Sequence, residues 1–211
     1  MSTHATVIDI ETVPQPLSAF PERFHDKLVD WFQPPRREGD VEPSGQAAAE
    51  GRFNLWGGTG RVIVIGMHNP DSGQSRILAS DDERDLLKEF WELVKPFDLQ
   101  ITFNGKLFDF PFLQLRSAIL QVKPSVRLDC RRYSRHPHLD LRELLTNFYA
   151  QKFGTLDFFC ELFGIASPKT ALSGSQVAAA YREGRLQEIA DYCRADVTAT
   201  AELYLKTQGY Y

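Results

Sequence analysis

Two acidic residues near the N-terminus lie on one face of a predicted strand. In VIDIET, residues 7–12, the alternation of a strand points Ile8 and Ile10 to one side. Asp9 and Glu11 therefore share the other side. Carboxylates on a buried strand are costly to desolvate, but hard divalent cations such as Mg²⁺ and Mn²⁺ bind oxygen ligands of this kind. An exposed strand face is the alternative explanation for this pair alone.

Two further acids come from distant segments of the chain. Asp109, in TFNGKLFDF, stands where a predicted strand passes into a predicted helix. The inward stripe of the predicted C-terminal helix consists of Ile189, Tyr192, Asp196, Ala199 and Leu203. Four clustered carboxylates would repel one another unless divalent cations bind them, and two such cations support hydrolysis of a phosphodiester. A helix cap at Asp109 and a structural hydrogen bond between Tyr192 and Asp196 are the alternatives.

Three motifs, in this order along the chain, resemble those of a known superfamily. DIE at residues 9–11, FNGKLFD at residues 103–109 and YCRAD at residues 192–196 resemble the three exonuclease motifs of the DEDD superfamily, in its tyrosine-bearing branch. HLDLRELL, TLDFFCELFGI and SGSQVAAAYREGRLQEIADYCRADV are similar to predicted 3′→5′ exonucleases related to the exonuclease domain of family B DNA polymerases. The resemblance covers most of the chain outside residues 34–60.

The resemblance implies a fold, an activity and cofactors. The fold would be a ribonuclease H-like α/β three-layer sandwich with a mixed five-stranded sheet flanked by helices. The activity would be a 3′→5′ exonuclease that acts on 3′ ends of single-stranded or frayed DNA, or of RNA, and releases nucleoside 5′-monophosphates. The cofactors would be two divalent cations, Mg²⁺ or Mn²⁺. The alternatives are a catalytically silent nucleic-acid-binding or polymerase-associated module of the same fold, and a metal phosphatase or structure-specific endonuclease.

The family scheme also implies a role for each motif residue. Asp9 would bridge both cations, and Glu11 and Asp196 would complete the coordination of the cation that holds the attacking water. Asp109 would help to hold the second cation. Tyr192 would hydrogen-bond the water, and its ordinary pKa near ~10 favours an orienting role over that of a general base at neutral pH.

A basic segment and an aromatic residue are candidates for contact with nucleic acid. The candidate substrate-binding residues are Asn104, Phe108, Arg131, Arg132 and Lys169. The basic segment, residues 127–138, also contains Arg127, Arg135, His136 and His138. The arginines would follow a phosphate backbone, and Phe108 would stack on the terminal base. A solvated basic loop, core packing of Phe108 and a plain helix cap near Lys169 are the alternatives.

The elements that must position these residues follow from hydrophobic periodicity and turn signals. Predicted strands span residues 7–12, 61–69, 75–80 and 99–104, and predicted helices span residues 24–32, 83–94, 110–120, 141–148, 156–163, 174–183 and 184–207. The second and third strands form a hairpin around PDSG. Capping boxes are predicted at Ser80–Glu83, Asp140–Glu143 and Ser173–Gln176, and a structural role is favoured for Asp140. The order of elements indicates an α/β sandwich.

Length and composition predict one domain that spans residues 1–211. The chain has 211 residues, and 43% of them are hydrophobic, which suffices for one sizeable core. Residues 34–60 are rich in Gly, Pro and charge and are predicted to form a flexible insertion or a mobile flap. The net charge of −4 argues weakly against nucleic acid, so that any such contact requires a local basic patch.

Cysteine spacing and hydropathy predict a cytoplasmic protein. Three cysteines without a CxxC pair fit reduced core residues better than a disulfide framework or a zinc ribbon. No leader sequence and no apolar run of about 20 residues is apparent. A membrane partner is therefore not expected, and the resemblance implies nucleic acid as the partner.

Overall fold

The computed structural model describes residues 4–34, 45–168 and 172–211. Its strands are β1 (Ala5–Pro14), β2 (Gly60–His68), β3 (Ser75–Ala79), β4 (Leu99–Thr102) and β5 (His138–Asp140). They form one sheet in the order β3-β2-β1-β4-β5. β2 pairs antiparallel with β1 and with β3, whereas β1–β4 and β4–β5 are parallel. The structure confirms the predicted mixed five-stranded sheet.

Helices cover both faces of this sheet. Within the described ranges they are α1 (His25–Trp31), α2 (Gln46–Glu50), α3 (Glu83–Val94), α4 (Asp109–Ile119), α5 (Leu141–Leu145), α6 (Leu156–Leu162), α7 (Val177–Arg182) and α8 (Leu186–Thr207). None of these described helices is both long and apolar enough to cross a bilayer. All three cysteines are free; Cys160 and Cys193 are buried, as predicted for core residues, and Cys130 is half-buried.

The alternation of β1 divides its side chains between the two faces of the sheet. Ile8 packs in the cluster formed with α3 and α4. Val7 and Val13 point to the opposite face and pack with residues of α8. Asp9 and Glu11 are odd-numbered like the two valines, so the strand carries both acids toward α8.

The close approach of α8 to the sheet depends on Gly66 of β2. Gly66 is the antiparallel partner of Asp9. A Cβ atom at Gly66 would lie 2.7 Å from Cys193 Sγ and 2.9 Å from Val197 Cγ1. Only glycine leaves α8 in contact with the sheet beside Asp9.

Residues 45–60, which belong to the predicted flexible insertion or mobile flap, contain regular structure. This segment contains α2 and a 3₁₀ helix, Phe53–Leu55. Phe53 is fully buried, and its ring lies 5.1 Å from that of Phe32 in an edge-on contact. The sequence shows no period here because these elements are very short and their packing partners come from residues 17–32. Residues 35–44 of the predicted insertion lie outside the described residues.

The burial of Phe53 predicts a stability effect in this segment. We expect Phe53→Ala to lower the free energy of unfolding by about 3 kcal/mol, because the truncation leaves a cavity in a packed cluster. Phe24→Ala is the matched control, since Phe24 lies in the same region but is 42% exposed. Urea unfolding of the three proteins measures the difference. Equal stability of the two variants would contradict the assigned packing.

The cap of α3 also differs from the predicted capping box. Asp82, not Ser80, is the N-cap and accepts a hydrogen bond from the amide of Asp85 at 3.0 Å. Glu83 turns inward and forms a buried ion pair with Arg116 at 2.6 Å. The predicted capping box does not form because the carboxylate of Glu83 pairs with the buried Arg116.

Candidate active site

The structure brings the four predicted acids together between β1 and the helices that flank it. Asp9 and Glu11 lie on the side of β1 that faces α8, and Asp196 lies on α8 itself. Asp109, at the start of α4, accepts a hydrogen bond from the amide of Ile10 at 3.1 Å. Asp109 is thereby fixed to β1 between the two strand acids.

Burial shifts the pKa values of all four carboxyl groups upward, and the charges of neighbouring acids add to the shift at Asp9, Glu11 and Asp109. The pKa of Asp9 is raised mainly by burial and then by the charges of Asp109, Glu11 and Asp196. The pKa of Glu11 is raised by burial and by the charges of Asp196 and Asp109. Burial raises the pKa of Asp109 to about 7, against its hydrogen bonds from backbone amides. Burial raises the pKa of Asp196 to about 6, against a hydrogen bond from Tyr192.

No cation compensates this cluster within the described part of the chain, where none of the ion pairs includes any of the four acids. Desolvated carboxylates without a cationic partner are the donor set that hard divalent cations require. The residues present therefore fit divalent cations.

The raised pKa of Asp196 predicts how the stability of the metal-free protein depends on pH. The folded state holds a proton that the unfolded state has lost between pH 3.8 and about 6, so stability falls as pH rises through that window. At pH 8 in EDTA we expect Asp196→Asn to have a free energy of unfolding higher than that of the parent by up to about 2 kcal/mol. The variant should therefore unfold at a higher temperature. At pH 4.5 the difference should shrink. An equal difference at both pH values, in thermal melts, would refute the assigned shift.

A cavity of about 260 Å³ opens onto Asp9, Tyr192 and Asp196. Phe103 and Leu156 contribute apolar surface to its wall. Burial and the charges of Asp196, Glu11 and Asp9 raise the pKa of the Tyr192 phenol. Tyr192 is therefore a neutral hydrogen-bonding group at the cavity.

Cys193 is a member of the cluster that sequence reasoning placed only in the core. Its thiol is fully buried and donates to Asp9 Oδ2, with Sγ and Oδ2 3.5 Å apart. Burial, followed by the charges of Asp9 and Glu11, raises the pKa of this thiol. The signal was present in the sequence, because Ile189, Cys193 and Val197 are spaced four residues apart and form the buried centre of α8.

Asp140 fixes the backbone turn that leads to Asp109. Its Oδ1 accepts from the amides of Asn104 at 3.0 Å and Glu143 at 3.1 Å. Its Oδ2 accepts from the amide of Lys106 at 3.0 Å and from the hydroxyl of Tyr149 at 3.2 Å. The predicted cap of α5 is confirmed, and the same carboxylate also holds a turn more than thirty residues earlier.

Glu143 does not complete the predicted capping box. Its carboxylate instead forms a buried ion pair with Lys106 and accepts from the amide of Tyr133 at 3.1 Å. The turn before Asp109 is therefore held both by its backbone amides and by its lysine side chain.

The candidate substrate residues have partners within the protein. Asn104 has φ 74° and accepts from Arg142 Nη1 at 2.8 Å, and Phe108 is half-buried against the core. Arg131 forms a bidentate pair with Asp129. These contacts give each residue a structural role.

The remaining two candidates differ in what can be said of them. Arg132 donates to the carbonyl of Phe148, and its guanidinium lies 5.1 Å from the Tyr133 ring centroid. Lys169 lies outside the described residues. Contact of any of the five candidates with nucleic acid stays a prediction.

The inclusion of His138 in the basic segment is wrong. His138 is fully buried in β5, and burial lowers its pKa to about 4. Its Nδ1 bonds the carbonyl of Asp129 at 2.8 Å, which requires a proton on Nδ1, and its Nε2 bonds Thr102 Oγ1 at 2.8 Å. The ring is neutral at pH 7, and its two hydrogen bonds stabilise the edge of the sheet at β5. β5 is not predicted from the sequence, because three residues after a proline are too few to show the alternation of a strand.

The sheet topology and flanking helices define this molecule as an α/β sandwich with a mixed five-stranded sheet. Residues 60–210 match the family described as "Predicted 3'-5' exonuclease related to the exonuclease domain of PolB", and the chain belongs to this family. Asp109, Tyr192 and Asp196 fall in the matched range, whereas Asp9 and Glu11 precede it.

DNA polymerases are among the relatives. The chain is 30% identical to a DNA polymerase of Desulfurococcus sp. (strain Tok) over 138 residues, which covers 57% of this chain and 18% of that protein. It is 26% identical to a DNA polymerase of Thermococcus litoralis over 180 residues, which covers 69% of this chain and 10% of that protein. The chain thus spans less than a fifth of these relatives.

A solved structure shares the fold. The family B DNA polymerase from Pyrobaculum calidifontis superposes with a TM-score of 0.67 at 18% identity, over 99% of this chain and 25% of that chain. At this identity the similarity establishes the fold alone.

Proposed function

We propose that this protein is a metal-dependent 3′→5′ exonuclease that hydrolyses the terminal phosphodiester of single-stranded or frayed nucleic acid. The products are nucleoside 5′-monophosphates, and DNA is the favoured substrate, with RNA as a second one. The observation that carries the proposal is the meeting of Asp9, Glu11, Asp109 and Asp196 beside an open cavity, without a compensating cation in the described residues. Membership of the exonuclease family supports the same chemistry.

The acids would hold two divalent cations, Mg²⁺ or Mn²⁺. Asp9 would contribute to both, Glu11 and Asp196 to one, and Asp109 to the other. When bound, such cations lower the pKa of a water and offset the negative charge that builds up on the phosphate. The protein contributes a rigid set of ligands, because Asp9 is held by Cys193 and Asp109 by the amide of Ile10.

Tyr192 would orient the attacking water. Its phenol keeps its proton well above neutral pH and is hydrogen-bonded to Asp196, so it positions a water and does not take up a proton. Phe103 and Leu156 in the cavity wall offer apolar contact to the terminal sugar or base. Contacts of this kind suit any base, so little sequence specificity is expected.

A ladder assay tests the proposal. With Mn²⁺ or Mg²⁺ and a 5′-labelled single-stranded oligonucleotide, we expect bands that shorten one nucleotide at a time from the 3′ end, and no change in EDTA. Matched DNA and RNA oligomers give the preference between the two, and a 3′-terminal phosphorothioate linkage should slow the first step.

Three outcomes would contradict the proposal. Nicking of circular single-stranded DNA would indicate an endonuclease, and release of inorganic phosphate would indicate a phosphatase. Binding of the oligomer without degradation in either cation would indicate a catalytically silent module.

A further inference from the structure

Three potential metal ligands of different chemistry converge at the centre of the cluster. One oxygen of Asp9, one oxygen of Glu11 and the sulfur of Cys193 all lie within 4.8 Å of one another. The two carboxylates come from β1 and the thiol from α8. The other two acids, Asp109 and Asp196, offer only oxygen ligands. The sulfur of Cys193 therefore gives this group a preference for metal ions other than those that carboxylates alone select.

The spacing of the sulfur and its nearest carboxylate oxygen suits a tetrahedral ion. Zinc binds sulfur at about 2.3 Å and carboxylate oxygen at about 2.1 Å, which at a tetrahedral angle separates the two ligand atoms by about 3.6 Å. Cys193 Sγ and Asp9 Oδ2 are 3.5 Å apart. Both ligands can therefore bind one ion with little rearrangement.

Glu11 provides a second, independent indication of a ligand. Its side chain is only 8% exposed, yet no hydrogen bond or ion pair from any residue in the described ranges reaches its carboxylate. A carboxylate on a residue buried to this extent is costly without a donor from the protein, and its oxygen lies within 4.8 Å of the ligand atoms of Asp9 and Cys193. A bound cation would satisfy it.

The protein holds this arrangement rigidly. Cys193 is fully buried, and a Cβ atom at Gly66 would lie 2.7 Å from its sulfur, so the thiol packs directly against β2 beside Asp9. Hard cations such as Mg²⁺ do not select sulfur, whereas thiophilic cations do.

We propose that Asp9, Glu11 and Cys193 form a binding site for a thiophilic divalent cation of the Zn²⁺ class, which competes with Mg²⁺ and Mn²⁺ for the two carboxylates. Cys193 gives up its proton to water as its sulfur binds. The occupied site withdraws Asp9 and Glu11 from the hard cations and stops hydrolysis. This last consequence rests on the proposed function, whereas the binding site itself does not.

Cd²⁺ is the probe, because a thiolate bound to Cd²⁺ gives a charge-transfer band in the ultraviolet. The Cys130→Ser/Cys160→Ser variant keeps Cys193 as the single thiol of the sequence. We expect one equivalent of Cd²⁺ to produce the band in this variant, and excess Mn²⁺ to remove it. A further Cys193→Ser substitution should abolish the band and weaken Cd²⁺ binding at least about tenfold, since even changes outside the ligand shell cost that much.

Asp9→Asn in the same background provides a second measurement if Cys193→Ser does not fold. It should retain the thiolate band at saturation but require at least about tenfold more Cd²⁺. Absence of the band in the single-thiol variant, or a band insensitive both to Mn²⁺ and to Asp9→Asn, would overturn the proposal. Because the band is read without substrate, a protein that binds Cd²⁺ but degrades no oligonucleotide would refute only the exonuclease function.

Discussion

Asp9→Asn is expected to reduce exonuclease activity at least about 1,000-fold, which corresponds to about 4 kcal/mol of lost transition-state stabilisation. The expected loss is large because Asp9 is the acid that would contribute to both cations. The amide of asparagine has nearly the same shape as the carboxylate and can still accept the hydrogen bond of Cys193. The folded structure should therefore persist.

The same substitution should separate catalysis from stability. Removal of one charge relieves repulsion from Glu11, Asp109 and Asp196, so the metal-free variant should be at least as stable as the parent at pH 8. Thermal melts with and without Mn²⁺ should show stabilisation by the cation only in the parent.

Asp191→Asn is the matched control, because Asp191 is an exposed acid on the outer side of α8. It should retain parental activity and parental stabilisation by Mn²⁺. If Asp9→Asn degrades the oligonucleotide at the parental rate, Asp9 is not a ligand and the assigned cluster is not the active site.

Asp140→Ala is expected to reduce both stability and activity. The buried amide of Lys106 and the partly buried amide of Asn104 lose their acceptor, and α5 loses its cap. The free energy of unfolding should fall by about 4 kcal/mol, from about 1–3 kcal/mol per unsatisfied amide and about 1 kcal/mol for the cap. Displacement of the turn before Asp109 should lower activity by about 10- to 100-fold at a temperature where the variant is fully folded.

Asp82→Ala is the control for the loss of a cap alone, because Asp82 caps α3 by the same type of hydrogen bond. It should cost about 1 kcal/mol and leave activity unchanged. Tyr149→Phe removes only one of the bonds to Asp140 and should have an intermediate effect. If Asp140→Ala is no less stable than Asp82→Ala, or fully active when folded, the carboxylate does not position the turn.

The sequence predicts the parts of this site that have a local period. Alternation along β1 identifies Asp9 and Glu11 as one face, and helical spacing identifies Tyr192 and Asp196 near the sheet. The predicted inward stripe through Tyr192 and Asp196 lies one residue away from the packing centre of α8, which runs through Cys193. Cysteine spacing alone predicts a core residue at Cys193, whereas in the structure its thiol also contacts Asp9.

Long-range contacts between short elements were not accessible in this way. Asp140 bonds amides 34 and 36 residues earlier, and no periodic pattern encodes such a contact. Phe53 packs against Phe32 across a segment whose composition resembles a linker. β5 has three residues, too few for alternation to stand out.

The placement of the acids along the chain has a consequence for protein synthesis. Asp9 belongs to the first strand, and Asp196 belongs to the last helix, which leaves the ribosome only at the end of translation of this segment. A nascent polypeptide that ends before α8 lacks Tyr192, Cys193 and Asp196, which converge on β1 in the folded protein. The proposed activity would therefore arise only after α8 has been translated and has packed against the sheet.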